Sequence, residues 1–386
     1  MIVHGGCMEV MAQIPSDTFA SAVTDPPYHL TSIVKRFGAT DAAPAKHGTD
    51  GLFARRSRGF MGQKWDGGDI AFRPELWAEV LRVMKPGAHL VAFGGSRTYH
   101  RMACAIEDAG FEVRDCILEL LSADDMARAF LESLDADQAK AFERLLGSSQ
   151  PIGSLEWIYG SGFPHSHNQN GRWEGWGTAL KPAHEPIVLA RKPLGEKSVA
   201  ANLARWGTGA LNIDASRVLG PEYVGEALAG RWPANVIHDG SDEVLAAFPD
   251  APGQLARTSS SSEGRKNQNT YGEMRRGAPG TEMIPRKDRG SAARFFYCAK
   301  ASKADRGGDN SHPTVKPFEL MEYLCRLVTP PGGTVLDPFC GSGSTGKAAL
   351  ANDYKFFGIE MIEAYANISH QRTGGAYLSA EDFSLI

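Results

Sequence analysis

Asp25-Pro26-Pro27-Tyr28 is the most chemically pointed run in the chain. Two consecutive prolines fix the backbone and carry no N–H, so nearby carbonyls stay free to accept hydrogen bonds. The Asp25 carboxylate and the Pro26 carbonyl can together take both protons of a planar amino group. The nitrogen of such a group is a weak nucleophile, because its lone pair is delocalised into the ring that bears it. Two acceptors drawing on its protons favour a pyramidal nitrogen and return the lone pair to it. Tyr28 adds a ring face on which an extruded base can stack. Alone, the same four residues also fit a plain turn after a strand.

A second constellation, Val335-Leu336-Asp337-Pro338-Phe339-Cys340-Gly341-Ser342-Gly343-Ser344, reads as a strand, a tight glycine turn and a helix start. In an open α/β sheet that junction lies at the carboxyl end of a strand, where ligands bind. Glycines there let a ligand approach the backbone where a Cβ would collide. Glu360 ends the next strand, 23 residues beyond Asp337. It is placed to accept hydrogen bonds from both hydroxyls of a ribose. The run is not GxGxxG and has no Walker lysine spacing, which argues against nicotinamide and nucleoside triphosphates. Asp337, expected at the mouth, suits a cofactor with a cationic amino-acid tail. The bland alternative is again a tight turn.

The elements that must hold these groups alternate between strand and helix. A short apolar start at Ile2 and Val3 leads into a helix over residues 7–13 and a buried strand over 19–24. A helix over 74–84 carries Leu76, Val80, Leu81 and Met84 on one stripe and is closed by Lys85-Pro86-Gly87. Residues 89–93 read as a strand stopped by Gly94-Gly95, 97–109 as a helix and 111–118 as a strand. The last 75 residues return to the same rhythm: helix 317–328, strand 333–337, helix 344–351, strand 355–360, helix 361–372. Such alternation predicts a mostly parallel sheet covered by helices on both faces.

Two stretches break the rhythm. Residues 122–147 read as a helical hairpin, with Met126, Phe130 and Leu134 on one stripe and Phe142, Leu145 and Leu146 on another. It is either a cover for the sheet or a partner contact. Residues 191–310 read as irregular and rich in Gly, Ser and Pro. Within 254–306, twelve Lys or Arg stand against five Asp or Glu, a net of +7. Arg265, Lys266, Asn267, Arg275 and Arg276 in that segment fit phosphate tracking with amide side chains for base edges. A second basic stretch, with Arg55, Arg56, Arg58 and Lys64, follows the DPPY run and is expected to close on DNA. Solvated surface is the alternative for both. The chain thus divides at about residues 190 and 310.

Composition is that of a globular protein: 386 residues, 42% hydrophobic, 22% charged. A net charge of −4 excludes a histone-like binder, so nucleic-acid affinity must come from a local patch. The opening MIVHGGCMEV carries no export signal and no apolar run reaches membrane length, so a cytoplasmic protein without a membrane partner is expected. Six cysteines without a CxxC pair read as buried thiols rather than disulfides or zinc ligands. His165 and His167 form an HxH pair without a third ligand, and no metal is expected.

Together the two motifs resemble the amino-methyltransferases of DNA, which move a methyl group from S-adenosylmethionine to an exocyclic base nitrogen. Asp25-Pro26-Pro27-Tyr28 resembles their catalytic motif and Asp337 to Gly343 their FxGxG cofactor motif. His312-Pro313-Thr314-Val315-Lys316-Pro317 is similar to the segment placed just before the cofactor strand. The catalytic motif preceding the cofactor motif is typical of the β class and argues against RNA and protein-glutamine methyltransferases. Trp157 to Pro164, Ala183-His184-Glu185-Pro186 and Arg231-Trp232-Pro233-Ala234-Asn235 resemble segments of phage- and prophage-type members. The resemblance implies an α/β, Rossmann-like fold with permuted motif order, a target-recognition insert and the hairpin insertion. It implies an N-terminal part of a catalytic domain (1–190), a target-recognition region (191–310) and a C-terminal catalytic part (311–386). It implies Asp25, Pro26, Pro27 and Tyr28 as catalytic residues. It further implies S-adenosylmethionine held by Asp25, Thr314, Lys316, Asp337, Phe339, Gly341, Gly343, Ser344 and Glu360. Duplex DNA is the implied partner, a homodimer the implied assembly, and restriction–modification one implied setting. Asp rather than Ser at position 25 favours adenine N6. Cytosine N4 stays open, as does a catalytically silent DNA-binding protein.

Overall fold

In the computed structural model, residues 1–28, 69–113, 154–158, 170–177, 180, 183–219, 230–252, 268–269, 272–273, 289–299, 305, 310, 312 and 314–383 are described. The hairpin read at 122–147 lies outside them.

The chain begins with strand β1 (Ile2–His4), helix α1 (Cys7–Ala12) and strand β2 (Phe19–Thr24), whose six residues are all buried. Helix α2 (Pro74–Val83) starts on Pro74, where a missing N–H costs no helical hydrogen bond. It runs straight into β3 (Met84–Phe93). The strand starts at Met84 rather than at residue 89, although the helix ends as expected before Lys85-Pro86-Gly87. Those residues form an irregular start of the strand, with Gly87 in the left-handed region and its N–H donating to Lys192 O at 3.1 Å. A Cβ on Gly87 would come within 2.4 Å of Asn202 Nδ2, so close packing at this position requires glycine. Helix α3 (Tyr99–Asp108) and strands β4 (Glu112–Val113), β5 (Ser154–Ile158) and β6 (His184–Arg191) follow.

The region read as irregular holds more order than expected. Helix α4 (Val199–Trp206) is capped by Ser198, whose Oγ accepts from Ala201 N, and ends on left-handed Gly207. Strands β7 (Val236–His238) and β8 (Tyr297–Cys298) join the central sheet, and α5 (Asp242–Ala247) follows β7. The C-terminal part supplies α6 (Phe318–Val328), β9 (Thr334–Asp337), α7 (Ser344–Ala351), β10 (Lys355–Glu360), α8 (Glu363–Thr373) and β11 (Tyr377–Ser379).

Among the described residues these strands form one eleven-stranded sheet in the order β8-β7-β5-β6-β3-β2-β9-β10-β1-β11, with β4 also on β6. All neighbours on this path are parallel except those of β6, which is antiparallel to β3 and β5. Alternate side chains feed two cores, as a two-faced sheet requires. Ala22, Leu90, Leu336 and Phe357 face the helices α1, α2 and α3, around buried Trp77. Val23, Val91, Val335 and Phe356 face α6 and α7. The fold is therefore α/β and Rossmann-like. Permutation is visible in the pairing, since β1 lies between β10 and β11 while β2 pairs with β9. Buried thiols are expected throughout, but among the described residues only Cys325 and Cys340 are buried, and Cys104 is exposed. No helix among the described residues is long and apolar enough to cross a membrane.

Candidate active site

Parallel strands end at a common edge, and that edge gathers the chemistry. Thr24 ends β2 and leads into Asp25; Asp337 ends β9; Glu360 ends β10; Phe93 ends β3 before Gly94 and Gly95. Because β6 runs the opposite way, its first residues, His184 and Glu185, reach the same edge. Gly94 N donates to Pro186 O at 2.9 Å, which fixes that start against the end of β3.

Four side chains close on one another there. The Tyr28 hydroxyl donates to Asp25 Oδ1 at 2.8 Å and lies 3.3 Å from Glu185 Oε2. Lys316 Nζ is 2.9 Å from Asp25 Oδ2 and 3.0 Å from Glu185 Oε2, and it donates to the Tyr28 hydroxyl at 3.0 Å. The ammonium also lies 4.7 Å from the Phe93 ring centroid. Burial alone would lower the Lys316 ammonium, but Asp25 and Glu185 together hold it above the ordinary lysine range. Burial, then the two carboxylates, push the Tyr28 phenol well up, so Tyr28 stays a neutral donor. Thr98 Oγ donates to the Tyr28 carbonyl at 2.8 Å, and a Cβ on Gly95 would press on the Tyr28 ring at 3.0 Å. The conformation of the DPPY run is thus set from both sides.

The glycine turn sits beside this cluster. Asp337 is buried rather than at the mouth: Oδ1 accepts from Thr24 Oγ at 2.7 Å and from Phe339 N at 3.1 Å, and Thr345 also donates to the carboxylate. Its role in the described structure is to tie β2, the turn and the start of α7 together, which corrects the exposed position expected for it. Burial outweighs those donors and raises its carboxyl to about 6. Gly341 and Gly343 both adopt left-handed backbone, and Ser344 opens α7. A Cβ on Gly341 would lie 3.0 Å from His312 Nε2, and one on Gly343 would lie 2.5 Å from Ser369 Oγ.

Glu360 reaches back over the turn. Its Oε2 accepts from Gly341 N at 2.9 Å and its Oε1 from Ile362 N at 2.8 Å. Burial raises this carboxyl to about 7 in spite of backbone N–H donors at Ile362, Gly341 and Met361. Each oxygen keeps a further lone pair, so a carboxylate pinned in this way suits a vicinal diol. Thr314 lies alongside, its carbonyl accepting from His312 Nδ1 at 2.8 Å. Phe339 is partly buried against the first core.

The structure therefore brings Asp25, Pro26, Pro27, Tyr28, Thr314, Lys316, Asp337, Phe339, Gly341, Gly343, Ser344 and Glu360 to one edge of the sheet. Lys316 is turned towards Asp25 rather than towards the glycine turn. Arg55, Arg56, Arg58, Lys64, Arg265, Lys266, Asn267, Arg275 and Arg276 lie outside the described residues, as do His165 and His167. Sequence reasoning gave no role to Glu185, Thr24 or Thr98. The signals available for Glu185 were a carboxylate directly before a proline at a strand start and the resemblance of Ala183-His184-Glu185-Pro186 to a segment of phage- and prophage-type members.

Residues 20–371 match the sequence pattern of DNA methylases, a family that takes in both adenine-N6 and cytosine-N4 enzymes. The chain belongs to the DNA methylase family. Among relatives of this DNA methylase, the type II methyltransferase M.HindIII of Haemophilus influenzae is 24% identical over 382 residues, covering 94% of the chain and 91% of M.HindIII. Shorter matches link it to two Escherichia coli K12 proteins. YubD is 45% identical over 65 residues, and the DNA adenine methyltransferase YhdJ is 39% identical over 77. Those matches cover 17% and 20% of the chain, and only 29% and 26% of the two relatives' own lengths. Solved structures similar to the chain include M1.HpyAVI in complex with SAM (15% identity, TM-score 0.39, 97% of this chain and 98% of that one). PvuII DNA methyltransferase, cytosine-N4-specific, is another (13% identity, TM-score 0.42, 98% and 94%).

Proposed function

We propose that this DNA methylase transfers a methyl group from S-adenosylmethionine to the exocyclic N6 of adenine in duplex DNA, with the target base flipped out of the helix. The observation that carries this reading is the adjacency of two sites on neighbouring strand ends. Asp25 follows β2, while the glycine turn and Glu360 follow β9 and β10.

Glu360 holds the ribose of the cofactor, and the turn at Phe339, Gly341, Gly343 and Ser344 lies along it with Thr314. The donor chemistry fits: a carboxylate with both oxygens oriented by backbone N–H groups and spare lone pairs suits a diol. The bound cofactor supplies an already activated methyl group. Asp25 and the Pro26 carbonyl accept hydrogen bonds from the two amino N–H groups and localise the nitrogen lone pair, with Pro27 fixing the backbone between them and Tyr28. As the N–CH3 bond forms and the cofactor's S–CH3 bond breaks, one of those protons leaves by way of Asp25. Tyr28 stacks on the flipped base. Catalysis in this reading is proximity and orientation, with no nucleophilic side chain and no metal.

DNA is held by the basic stretches around Arg55, Arg56, Arg58 and Lys64 and around Arg265, Lys266, Asn267, Arg275 and Arg276. Residues 191–310 act as the target-recognition region between catalytic parts 1–190 and 311–386, and the assembly is a homodimer. Adenine rather than cytosine rests on Asp25 in place of serine. The test is transfer of labelled methyl groups from the cofactor to unmethylated duplex DNA, followed by nucleoside digestion and chromatography. Label in N6-methyladenine supports the reading. Label in N4-methylcytosine moves the target to cytosine, and DNA binding without label leaves a silent DNA-binding protein. Sequencing of modified bases then gives the site and shows whether a restriction partner is needed to explain it.

A further inference from the structure

Lys316 poses a problem for base entry. Its ammonium is buried and lies on Asp25 Oδ2, the carboxylate assigned above to the amino protons. A cation held there competes with the incoming amino group. Stripping a buried cation of its only carboxylate is among the most costly single changes in a protein interior. A second carboxylate is already in place, because Glu185 Oε2 is 3.0 Å from the same nitrogen. The three hydrogens of the ammonium match three acceptors: Asp25 Oδ2, Glu185 Oε2 and the Tyr28 hydroxyl oxygen.

We propose that Glu185 is a positioning residue for base entry, taking over the Lys316 ammonium as the target amino group displaces it from Asp25. The inference rests on the methyl-transfer reading and adds a residue that touches neither base nor cofactor. The antiparallel course of β6 makes this possible. It delivers a strand start, with its carboxylate, to the edge where the parallel strands finish. The Phe93 ring beside the ammonium offers a cation–π face but no proton acceptor, so the lysine passes between oxygens.

The experiment compares the full chain with its Glu185→Gln, Glu185→Asp and Glu185→Gln/Lys316→Met variants. Single-turnover methyl transfer to unmethylated genomic DNA is read at saturating S-adenosylmethionine, with cofactor affinity by calorimetry and melting temperature alongside. Glu185→Gln leaves the ammonium on Asp25 at rest, but without a carboxylate once the base is on Asp25. That cost is borne only in the second state, so transfer is expected to slow roughly 100-fold, with cofactor affinity unchanged and melting temperature little changed. Glu185→Asp restores part of the rate. The double variant outruns Glu185→Gln, because no ammonium remains on Asp25; a merely structural glutamate would show no such rescue. Wild-type turnover in Glu185→Gln overturns the proposal, as does a loss confined to cofactor affinity or a double variant no faster than Glu185→Gln. A wild-type chain that binds the cofactor but labels no DNA overturns the methyl-transfer reading instead. A crystal structure with adenosine then decides the exchange. Lys316 on Glu185 with the adenosine amino group on Asp25 supports it, and Lys316 still on Asp25 overturns it.

Discussion

Two carboxylates in this site do opposite work for one reason. Asp25 is partly exposed and shares a cation, which suits an acceptor that must meet an incoming group. Asp25→Ala is expected to cut methyl transfer roughly 100- to 1000-fold, the scale of losing one oriented polar partner of a reacting group. Cofactor affinity by calorimetry should stay close to wild type, and near-wild-type turnover would refute the assignment. Glu360 is held at about 7 by burial, so near neutral pH it is half protonated before any ligand arrives. Only the carboxylate offers every lone pair to a diol. Cofactor affinity should therefore weaken as pH falls from 8 to 6, and the same titration with Glu360→Gln should be flat. At pH 8, Glu360→Ala should cost about 1.5–3 kcal/mol of cofactor binding. Asp337 is raised in the same direction, to about 6. Between their ordinary values of 3.8 and 4.5 and these raised ones, the folded chain binds more protons than the unfolded chain. What these groups contribute to stability is thus present below that window and falls as pH rises through it.

At the scale of elements, the turn between β9 and α7 is the most exacting piece. Gly343 has φ near 81°, and a Cβ there would meet both the side chain and the backbone of Ser369 on α8. Gly343→Ala should destabilise the fold by about 1–3 kcal/mol in denaturant unfolding and loosen cofactor binding with it. An unchanged midpoint would mean that α8 can give way. This turn was legible in the sequence because strand, glycines and helix follow one another without interruption. So were β2 and β10, whose apolar runs are continuous. Short strands were not: β7 has three residues and β8 two, lengths at which periodicity carries no information, and only non-local pairing makes them strands. Helix α4 did carry a local signal in Ser198 and Gly207, which the surrounding Gly and Pro content obscured. Lys85-Pro86-Gly87 marked the end of α2 correctly, but gave no sign that the same residues open β3. The catalytic motif was readable because its residues are contiguous. Glu185 was not, because its meeting with Asp25 and Lys316 depends on the direction of β6.

For the molecule as a whole, affinity for DNA must come from local basic stretches, because the net charge is −4. Neutralising both Arg275 and Arg276 should flatten the slope of log affinity against log salt by about 1.8 if each touches a phosphate. An unaltered slope in a filter-binding series would put the DNA surface elsewhere, and lost sequence preference at constant slope would mean base reading. If the hairpin read at 122–147 forms a two-fold contact, deleting residues 123–146 should shift the protein towards monomer in light scattering, with lower activity. A dimeric, active deletion variant would make the hairpin a cover only. The position of β1 between β10 and β11 has a further consequence, in time rather than in space. Ile2 leaves the ribosome long before its partner Gly358. The growing chain must carry β1, an apolar strand, without this partner until β10 has been made. Half of the cofactor site therefore cannot exist until β9 and β10 have both emerged, and a chain cut short within β10 leaves β1 as an open edge, ready to pair with another molecule.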